Sequence, residues 1–558
     1  MIVMDDLNKD EHIHDREAHK KLPPQPLSSS KSVFPETSEK IRTSAWITLA
    51  ILGCTLLVTF YGETMLLPAI RDIISDFHIS YSTSSWILTA YLISGAVATP
   101  IAGKLSDIYG RKKMVLIIFI IYIIGISVGG LSSNISFLLI ARVIQGIGIS
   151  MFPIAFGIIR DQLPKDKLAI GVGVFSSMFA AGSVVGLAVG GNIIKNFGWH
   201  ATFLSIVPVA IILWVVIYRF IRDNKAEAET SISLRHPASP KYSWKQTKAS
   251  VNNASRIDLK GAIALAVTIA SFLLGLTYIG NSSNLNSSST QITVVSLAVL
   301  SMGSLALFVI IERKAASPLI ELSLMAHKVL LPANIVILIF GITMFMVYQT
   351  IPILVRSPQP LGFGGDAVST AMVQLPFMIV ILVFAPSSGF IVSKIGNLKP
   401  TVAGTIIMTI GFFSLFMFHS TEFMVAINLA IVAAGISLIQ VGAFNITMEY
   451  TPLKYSGVSL GMSVVLFLIG SSIGPAIAGI YMQTHQELAK GITTGSFPSA
   501  ISYNLIFLTA ALISAISITL VIILRRRISQ SQSTLKKLEM EASNMKQDER
   551  RNEVGKND

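Results

Sequence analysis

Apolar residues occur along this chain in long runs that short polar segments separate. A helix needs about 20 apolar residues to cross the hydrocarbon core of a bilayer. The pattern predicts fourteen such helices, near residues 44–68, 84–102, 114–132, 136–159, 168–193, 200–221, 258–279, 291–311, 329–351, 367–388, 400–419, 423–446, 456–482 and 500–524. We therefore expect an all-α polytopic membrane protein.

Two pairs of glycines recur at an offset of 286 or 288 residues, each at an equivalent point of a six-helix unit. The pairs are Gly103 and Gly110 with Gly389 and Gly396, and Gly182 and Gly186 with Gly470 and Gly474. The chain is thus predicted to contain two copies of a six-helix unit, with two further helices inserted between them. Internal duplication around a central site is typical of secondary transporters.

These patterns divide the chain into six predicted parts. They are a disordered cytoplasmic N-terminal tail (1–43), an N-terminal six-helix bundle (44–221), a basic cytoplasmic loop (222–257), two inserted transmembrane helices (258–311), a C-terminal six-helix bundle (312–525) and a cytoplasmic C-terminal tail (526–558). The first part lacks the apolar segment that a cleaved signal peptide requires.

Composition favours one membrane-embedded body over a set of soluble domains. Of the 558 residues, 52% are hydrophobic and 13% are charged, whereas a soluble protein carries about 25% charged residues. The net charge is +13, but the charges are spread over the loops between helices instead of one face. The expected partner is therefore the lipid bilayer and not a nucleic acid.

The distribution of basic residues predicts the orientation in the membrane. Of the 43 Lys and Arg residues, 38 lie on the side of the N-terminal tail, and Arg142 lies inside a span. Only Arg71, Lys195, Arg356 and Lys490 fall on the opposite side. Since cytoplasmic loops carry the excess of basic residues, both termini are expected in the cytoplasm, with the protein in the plasma membrane.

A compact charged motif, GKLSDIYGRKK, joins the second and third predicted helices. Gly103 and Gly110 permit a tight turn and a close approach of helices. Asp107 can pair with Arg111 or face the positive N-terminal end of a helix, while Arg111 and Lys112 hold the loop at the membrane surface. The motif is predicted to latch one of two conformations; the alternative is a basic loop that only sets the topology.

This motif resembles the signature loop of the major facilitator superfamily. The stretch RVIQGIG (142–148) is similar to the fourth-span motif of that superfamily, and GSVVGLAVGG (182–191) is similar to its antiporter motif. With the fourteen spans, they resemble the 14-span drug:proton antiporter branch over residues 44–525. The resemblance implies the major facilitator fold of two six-helix bundles, and a latch role for Asp107 and Arg111.

The antiporter motif and its second copy, GSSIGPAIAG, have small residues at spacings that let two helices pack closely. The motif residues are Gly182, Gly186, Gly190, Gly191, Gly470, Gly474 and Pro475. Leu187 stands where the family usually has a proline, which the second copy keeps. Core packing alone is the alternative explanation of these glycines.

Two ionisable residues, Glu63 and Arg142, lie inside predicted spans at a similar depth. An intramembrane charge is costly and marks a functional site by default. The resemblance implies that the first and fourth spans line the central cavity, so Glu63 is predicted to carry the coupling proton while Arg142 favours its ionised form. Members of the branch usually have an aspartate in the first span, and Glu63 is its hypothesised substitute. The alternatives are a Glu63 that reaches the membrane surface or caps backbone near Pro68, and a purely structural Arg142.

Further polar residues inside the spans are candidates for the substrate cavity. They are Tyr61, Gln145, Asn334, Tyr348, Gln349, Gln374, Gln440 and Asn445. For buried amides the alternative is a hydrogen bond between helices. The sequence contains no P-loop, catalytic triad or metal-spaced His/Cys cluster, so we expect no enzyme, no metal and no cofactor other than the proton as coupling ion.

These features favour a secondary transporter, expected to be a monomer, that exports small amphipathic or cationic compounds in exchange for protons. A metabolite or nutrient symporter or uniporter of the same fold is the alternative. A substrate-sensing receptor without transport is a third hypothesis.

Overall fold

The computed structural model describes residues 42–163, 168–221, 259–281, 288–315, 325–451, 456–488 and 496–554. Nearly all of the predicted N-terminal tail, the predicted basic loop at 222–257 and Lys490 lie outside these ranges. The described residues are overwhelmingly helical, which confirms the predicted fold class.

The described residues of the N-terminal half form nine α-helices. Its helices are α1 (Thr43–Thr64), α2 (Ile70–Phe77), α3 (Tyr81–Ser84), α4 (Trp86–Tyr109), α5 (Arg111–Gly130), α6 (Ile135–Gly146), α7 (Met151–Gln162), α8 (Leu168–Phe197) and α9 (His200–Phe220). Short 3-10 turns join α1 to α2 (Leu67–Ala69) and α6 to α7 (Ile147–Ser150).

Two inserted helices and the C-terminal half follow. The inserted pair is α10 (Leu259–Asn281) and α11 (Ser288–Lys314), and the C-terminal half comprises α12 (Leu330–Arg356), α13 (Ala367–Ile395), α14 (Leu398–Met417), α15 (Glu422–Glu449), α16 (Ser456–Thr484) and α17 (Ala500–Val554). A two-stranded antiparallel hairpin, β1 (Gln486–Leu488) and β2 (Ser496–Pro498), lies between α16 and α17.

The described residues contain fourteen helical segments long and apolar enough to cross a membrane, as predicted. The first of them runs from Thr43 to Phe77 and not only to residue 68. Pro68 lies in the first positions of the 3-10 turn, where a missing amide N–H costs no hydrogen bond, so the chain continues into α2. Helix α17 extends to Val554, through much of the predicted C-terminal tail, because that stretch is rich in Lys, Glu, Leu and Met and has no proline.

The ends of the helices fall on two faces of the membrane body. Helices α4 and α5 meet at Gly110, and we call this side the Gly110 face. Helix α2 lies at the opposite side and carries Asp72, so we call that side the Asp72 face.

The turns that follow the second helix of each half have the same backbone geometry. Gly110 has φ +97° and Gly396 has φ +81°, a region that side chains with a Cβ atom rarely adopt. This agrees with the tight turn predicted for the charged motif and with the internal repeat.

The glycines of the antiporter motif bring two helices into backbone contact in each half. A Cβ atom at Gly182 or Gly186 would overlap the main chain of α1, and one at Gly470 or Gly474 would overlap the main chain of α12. On the same face, the Thr64 hydroxyl donates to the Ser183 carbonyl at 3.2 Å. The repeat in sequence is therefore also a repeat in packing: α8 lies on α1 as α16 lies on α12.

The inserted helix α10 packs against both halves. Its apolar residues share a buried cluster with α4 and α16. Trp86 Nε1 donates to Thr277 Oγ1 at 2.8 Å, and Ser82 Oγ donates to the Thr277 carbonyl at 3.1 Å. Helix α11 is largely exposed and apolar, as a lipid-facing helix should be.

Replacing Gly182 by alanine is expected to destabilise the protein by about 1–3 kcal/mol, since the new Cβ forces α8 away from α1. The measurement is the apparent Tm of the purified protein in detergent. The matched control is Gly303→Ala on α11, where a Cβ meets no atom within 4 Å. The control should be neutral or stabilising, because alanine has the higher helix propensity; an equal Tm for both variants would contradict the close packing.

Candidate functional site

The two ionisable residues predicted inside the membrane are both buried. Arg142, on α6, has no exposed surface, and Glu63, near the end of α1, is 7% exposed. Because the first span continues to Phe77, Glu63 lies 14 residues before its end, or about 21 Å along a helix. This burial disfavours the alternative in which Glu63 reaches the membrane surface.

The Arg142 guanidinium joins three helices of the N-terminal half. Its Nε donates to the Ile87 carbonyl on α4 at 2.8 Å, and its Nη1 donates to the Gly62 carbonyl on α1 at 3.1 Å and to Gln145 Oε1 at 2.7 Å. The guanidinium carbon lies 4.4 Å from the centre of the Tyr91 ring, a cation–π contact. Among the described residues, none accepts a hydrogen bond from Nη2.

Gln145 and Tyr122 complete this network. Gln145 Nε2 donates to the Gly62 carbonyl at 3.2 Å, and the Tyr122 hydroxyl donates to the Val58 carbonyl at 2.9 Å. Gly62 is the residue that gives both side chains room, because a Cβ there would overlap the Tyr122 hydroxyl and lie 2.7 Å from Gln145 Nε2. The network therefore fixes the backbone of α1 at the residue that precedes Glu63.

Glu63 and Arg142 are neighbours without forming a salt bridge. The described residues give the Glu63 carboxylate no hydrogen bond and no ion pair within 4.0 Å. Glu63 follows Gly62, whose carbonyl accepts a hydrogen bond from Arg142 Nη1, and its carboxylate interacts electrostatically with the guanidinium. The first-span acid and the fourth-span arginine are thus linked through the Gly62 carbonyl, and their predicted role in proton coupling stays a prediction.

Three of the other predicted cavity residues make hydrogen bonds to serine side chains of other helices. They are Tyr61 with Ser205 (3.3 Å), Asn334 with Ser463 (2.6 Å) and Gln349 with Ser84 (3.1 Å). For these three, a hydrogen bond between helices is a sufficient explanation.

The remaining four lie on α12, α13 and α15. Tyr348 donates to Met378 Sδ, Gln374 Nε2 lies 3.5 Å from the Tyr348 carbonyl, and Gln440 and Asn445 are half-buried on α15.

Two cations of the charged motif make described contacts within their own half of the molecule. Arg111 Nη1 donates to the Gly157 carbonyl on α7 at 3.0 Å, and Lys112 lies 5.7 Å from the centre of the Tyr218 ring on α9. In the second copy, Asn397 Nδ2 donates to Glu449 Oε2 at 2.6 Å. The Asp107 side chain lies outside the described residues, so its predicted role stays a prediction.

Two ion pairs join the halves at the Asp72 face. Arg356 on α12 binds Asp72 on α2 through its two terminal nitrogens, Nη1 and Nη2, at 2.5 and 2.6 Å, and Nη1 also donates to the Pro68 carbonyl. Lys195 on α8 pairs with Asp366 at 2.8 Å. The Lys195 ammonium and the Ser369 amide lower the pKa of Asp366 to about 2, so this carboxylate stays ionised at any physiological pH.

The hairpin and its neighbours add further contacts at the same face. The Tyr81 amide donates to Gln483 Oε1 at 3.1 Å, and the Tyr81 hydroxyl donates to the Ser496 carbonyl at 3.4 Å. The Arg71 guanidinium lies 4.3 Å from the centre of the Phe497 ring. All three contacts link the N-terminal half to the C-terminal half.

Three glycines near the Gly110 face have open surroundings among the described residues. Gly103 on α4, Gly389 on α13 and Gly461 on α16 lie toward that face, and a Cβ on any of them would meet no described atom within 4 Å. Near the Asp72 face, by contrast, a Cβ on Gly191 would lie 2.9 Å from the Ala367 carbonyl oxygen of the other half. The two halves are thus in direct contact at the Asp72 face.

The sequence analysis did not identify the closing contacts, but it contained a signal for them. Only four basic residues were predicted at that face, and the three that the structure describes, Arg71, Lys195 and Arg356, all bind across the two halves. A basic residue on a face that has few of them is a candidate for a specific pair.

Comparison with known families supports the resemblance of the motifs. The family model described as Major Facilitator Superfamily matches residues 52–475 and 335–550. Multidrug resistance protein 3 of Bacillus subtilis (strain 168) is 29% identical over 344 residues, which are 62% of this chain and 60% of that protein. The chain spans about three fifths of the length of the first curated relatives that it matches.

Other similar proteins cover more of the chain. The tetracenomycin C resistance and export protein of Streptomyces glaucescens is 25% identical over 450 residues, 79% of this chain and 77% of that protein. The human organic anion transporter MFSD10 has a similar structure, with a TM-score of 0.57 and 12% identity over 86% of this chain and all of that one. At that identity the structural likeness shows the fold alone.

Replacing Arg142 by lysine is expected to lower the free energy of unfolding by about 3 kcal/mol. One ammonium cannot donate to the Ile87 and Gly62 carbonyls and to Gln145 at the same time. The measurement is the apparent Tm in detergent, beside the control Arg219→Lys at an exposed end of α9. A wild-type Tm for Arg142→Lys would show that the three-helix junction does not depend on the guanidinium.

Proposed function

The chain belongs to the major facilitator superfamily, and on that premise we propose that it exports small amphipathic or cationic compounds in exchange for protons. Two relatives named for multidrug resistance or drug export support the export direction. The excess of basic residues supports an orientation with the Gly110 face toward the cytoplasm. In that orientation the Asp72 face, where the described ion pairs join the two halves, is toward the outside.

The observation that carries the proposal is the environment of Glu63. Its carboxylate is buried, has no direct partner among the described residues, and interacts electrostatically with the fixed charge of Arg142. Burial favours the protonated form of this carboxylate, whereas the nearby guanidinium favours its ionised form. A proton or a cationic substrate can therefore neutralise it, but not both at once, and this competition is what antiport requires.

Alternating access supplies the second element of the mechanism. Release of substrate to the outside requires the Asp72 face to open, which breaks the Arg356–Asp72 and Lys195–Asp366 pairs. In the other state of the cycle the Gly110 face is expected to close, which would bring the helix ends at Gly103 and Gly389 nearer to the opposite half. Glycine at these two positions leaves room for that approach. The charged motif, which begins at Gly103, is thus placed to latch the outward-open state.

Glu63→Gln is expected to abolish substrate transport driven by a pH gradient in proteoliposomes, because the amide cannot exchange a proton. Substrate counterflow without a gradient should remain measurable, since alternating access itself does not need the proton. Wild-type uphill transport by Glu63→Gln would remove this residue from the coupling mechanism.

The matched control for that experiment is Glu487→Gln, which makes the same change at an exposed residue of β1. Gradient-driven transport by the control should equal that of the wild type. Equal losses in both variants would point to a general effect of removing a carboxylate.

Asp72→Ala is expected to shift the protein toward the outward-open state by about tenfold, because a charge-assisted bidentate contact is lost. Spin labels at Phe197→Cys and Phe423→Cys, in a Cys54→Ser background, report the width of the Asp72 face by double electron–electron resonance. Both positions are exposed, and they lie on different halves. The variant should show a new population at longer distance.

Two further variants test whether the charge pair is responsible. The double variant Asp72→Arg/Arg356→Asp should restore the short distance. Asp76→Ala should leave it unchanged, because Asp76 accepts a hydrogen bond from Trp199 within its own half. A distance distribution for Asp72→Ala that matches the wild type would show that the pair does not hold this face closed.

A further inference from the structure

A small buried cluster holds α17 against the C-terminal half at the Gly110 face. Leu524 and Ile528 of α17 pack there on residues at the start of α12, at the start of α14 and at the end of α15. The other members of the cluster are Val329, Ala333, Leu398, Ile446 and Tyr450. The ends of three helices and the middle of α17 therefore meet at one place on this face.

Three consecutive arginines lie within this contact on α17. Arg525, Arg526 and Arg527 fall between the buried Leu524 and Ile528, and all three are exposed. Successive residues of a helix are about 100° apart. Arg525 and Arg527 therefore flank the packed face of α17 on its two sides, and Arg526 points away from that face.

The neighbouring helices add two more cations. Lys328 lies just before α12, and Lys399 is the second residue of α14. Both are exposed, and each is adjacent in sequence to a member of the buried cluster. We call the five cations the α17 basic patch, which consists of Lys328, Lys399, Arg525, Arg526 and Arg527.

The charges of the patch are not balanced within the described part of the chain. None of the five cations has a carboxylate within 4.0 Å among the described residues. The exposed Glu449, at the end of α15, accepts a hydrogen bond from Asn397 instead. The excess of basic residues at one face sets the topology, but topology does not require five cations from three helices at one place.

The patch lies at the depth of lipid headgroups. Arg525 is 25 residues after Ala500, where α17 begins at the Asp72 face, or about 38 Å along the helix. Because the hydrocarbon core is about 30 Å thick, the arginines reach the headgroup region. One turn closer to the membrane centre, Ile522 and Ile523 of α17 and Leu331 of α12 are exposed, as residues that contact acyl chains should be.

We propose that the α17 basic patch binds the headgroup of an anionic phospholipid in the leaflet at the Gly110 face. A phosphate there would meet cations from α12, α14 and α17, and a guanidinium can bind phosphate oxygens in bidentate fashion. Basic sites between spans suit anionic headgroups. The exposed apolar residues beside the patch favour a lipid over a soluble phosphate, because only the lipid brings acyl chains to cover them.

The test measures which lipid lies beside the patch. Ile523→Cys, in a Cys54→Ser background, is labelled with bimane, and the full chain is reconstituted in phosphatidylcholine bilayers. Quenching by dibrominated phosphatidylglycerol, compared with quenching by dibrominated phosphatidylcholine, gives the relative binding constant of the anionic lipid. We expect a preference of about 30-fold for phosphatidylglycerol. Arg525→Gln/Arg527→Gln should reduce it at least tenfold, since each cation near a membrane surface contributes about fivefold in affinity.

Two further double variants test where the site lies. Lys328→Gln/Lys399→Gln should reduce the preference by a similar factor, because the proposed site takes cations from three helices. The matched control is Arg313→Gln/Lys314→Gln, which removes two exposed cations at the end of α11 on the same face. This control should leave the preference unchanged. The apparent Tm of each variant checks that these exposed positions do not alter folding.

Four results would overturn the proposal. They are equal quenching by the two lipids before any change in the patch, a preference that survives either double substitution in the patch, an equal loss in the α11 control, and displacement of the anionic lipid by sodium phosphate beyond that by sodium chloride of the same ionic strength. The last result would assign the patch to a soluble phosphate. None of these measurements involves transport, so they do not depend on the proposed export function.

Discussion

The rest of the N-terminal half depends on the burial of one guanidinium. A buried cation is tolerated only where its donors are met and its charge is compensated. Arg142 meets most of this requirement with main-chain carbonyls from α1 and α4, with Gln145 and with the face of Tyr91, and only Nη2 has no acceptor among the described residues. Since no carboxylate is bound to it among the described residues, the guanidinium fixes the backbone beside Glu63 and leaves that carboxylate available for a proton or a cation.

The architecture could be predicted from the sequence because few backbone structures can span a bilayer. Each span must satisfy its own backbone hydrogen bonds, so runs of about 20 apolar residues predict helices closely. The errors lie at the ends: the first span passes Pro68 to reach Phe77, and α17 continues to Val554. At both places the run of apolar residues stops, but the residues that follow still favour a helix. A count of apolar residues does not measure this helix propensity.

The candidate site was predictable only in part, because composition does not give contacts. Glu63 and Arg142 stood out as ionisable residues within apolar spans, and in the structure Arg142 binds the carbonyl of the residue before Glu63. The pairing of Asp72 with Arg356 could not be read from either residue, since each lies in a different repeat, 284 residues apart. Such pairs depend on how the two halves rest against each other, and that arrangement changes during a transport cycle. A static sequence pattern can mark the scarce charges of a face but not their partners.

The two halves of the molecule keep the same packing and have diverged in chemistry. Gly182 and Gly470 hold equivalent helix pairs together, so the scaffold is repeated with little change. At the centre, however, the N-terminal half buries the Arg142 guanidinium, which binds main-chain carbonyls of α1 and α4. Among the described residues of the C-terminal half, no Asp, Glu, Lys or Arg side chain is buried in this way. A duplicated scaffold of this kind can divide its work: one half holds a fixed charge beside Glu63, and the other packs against it without a buried charge of its own.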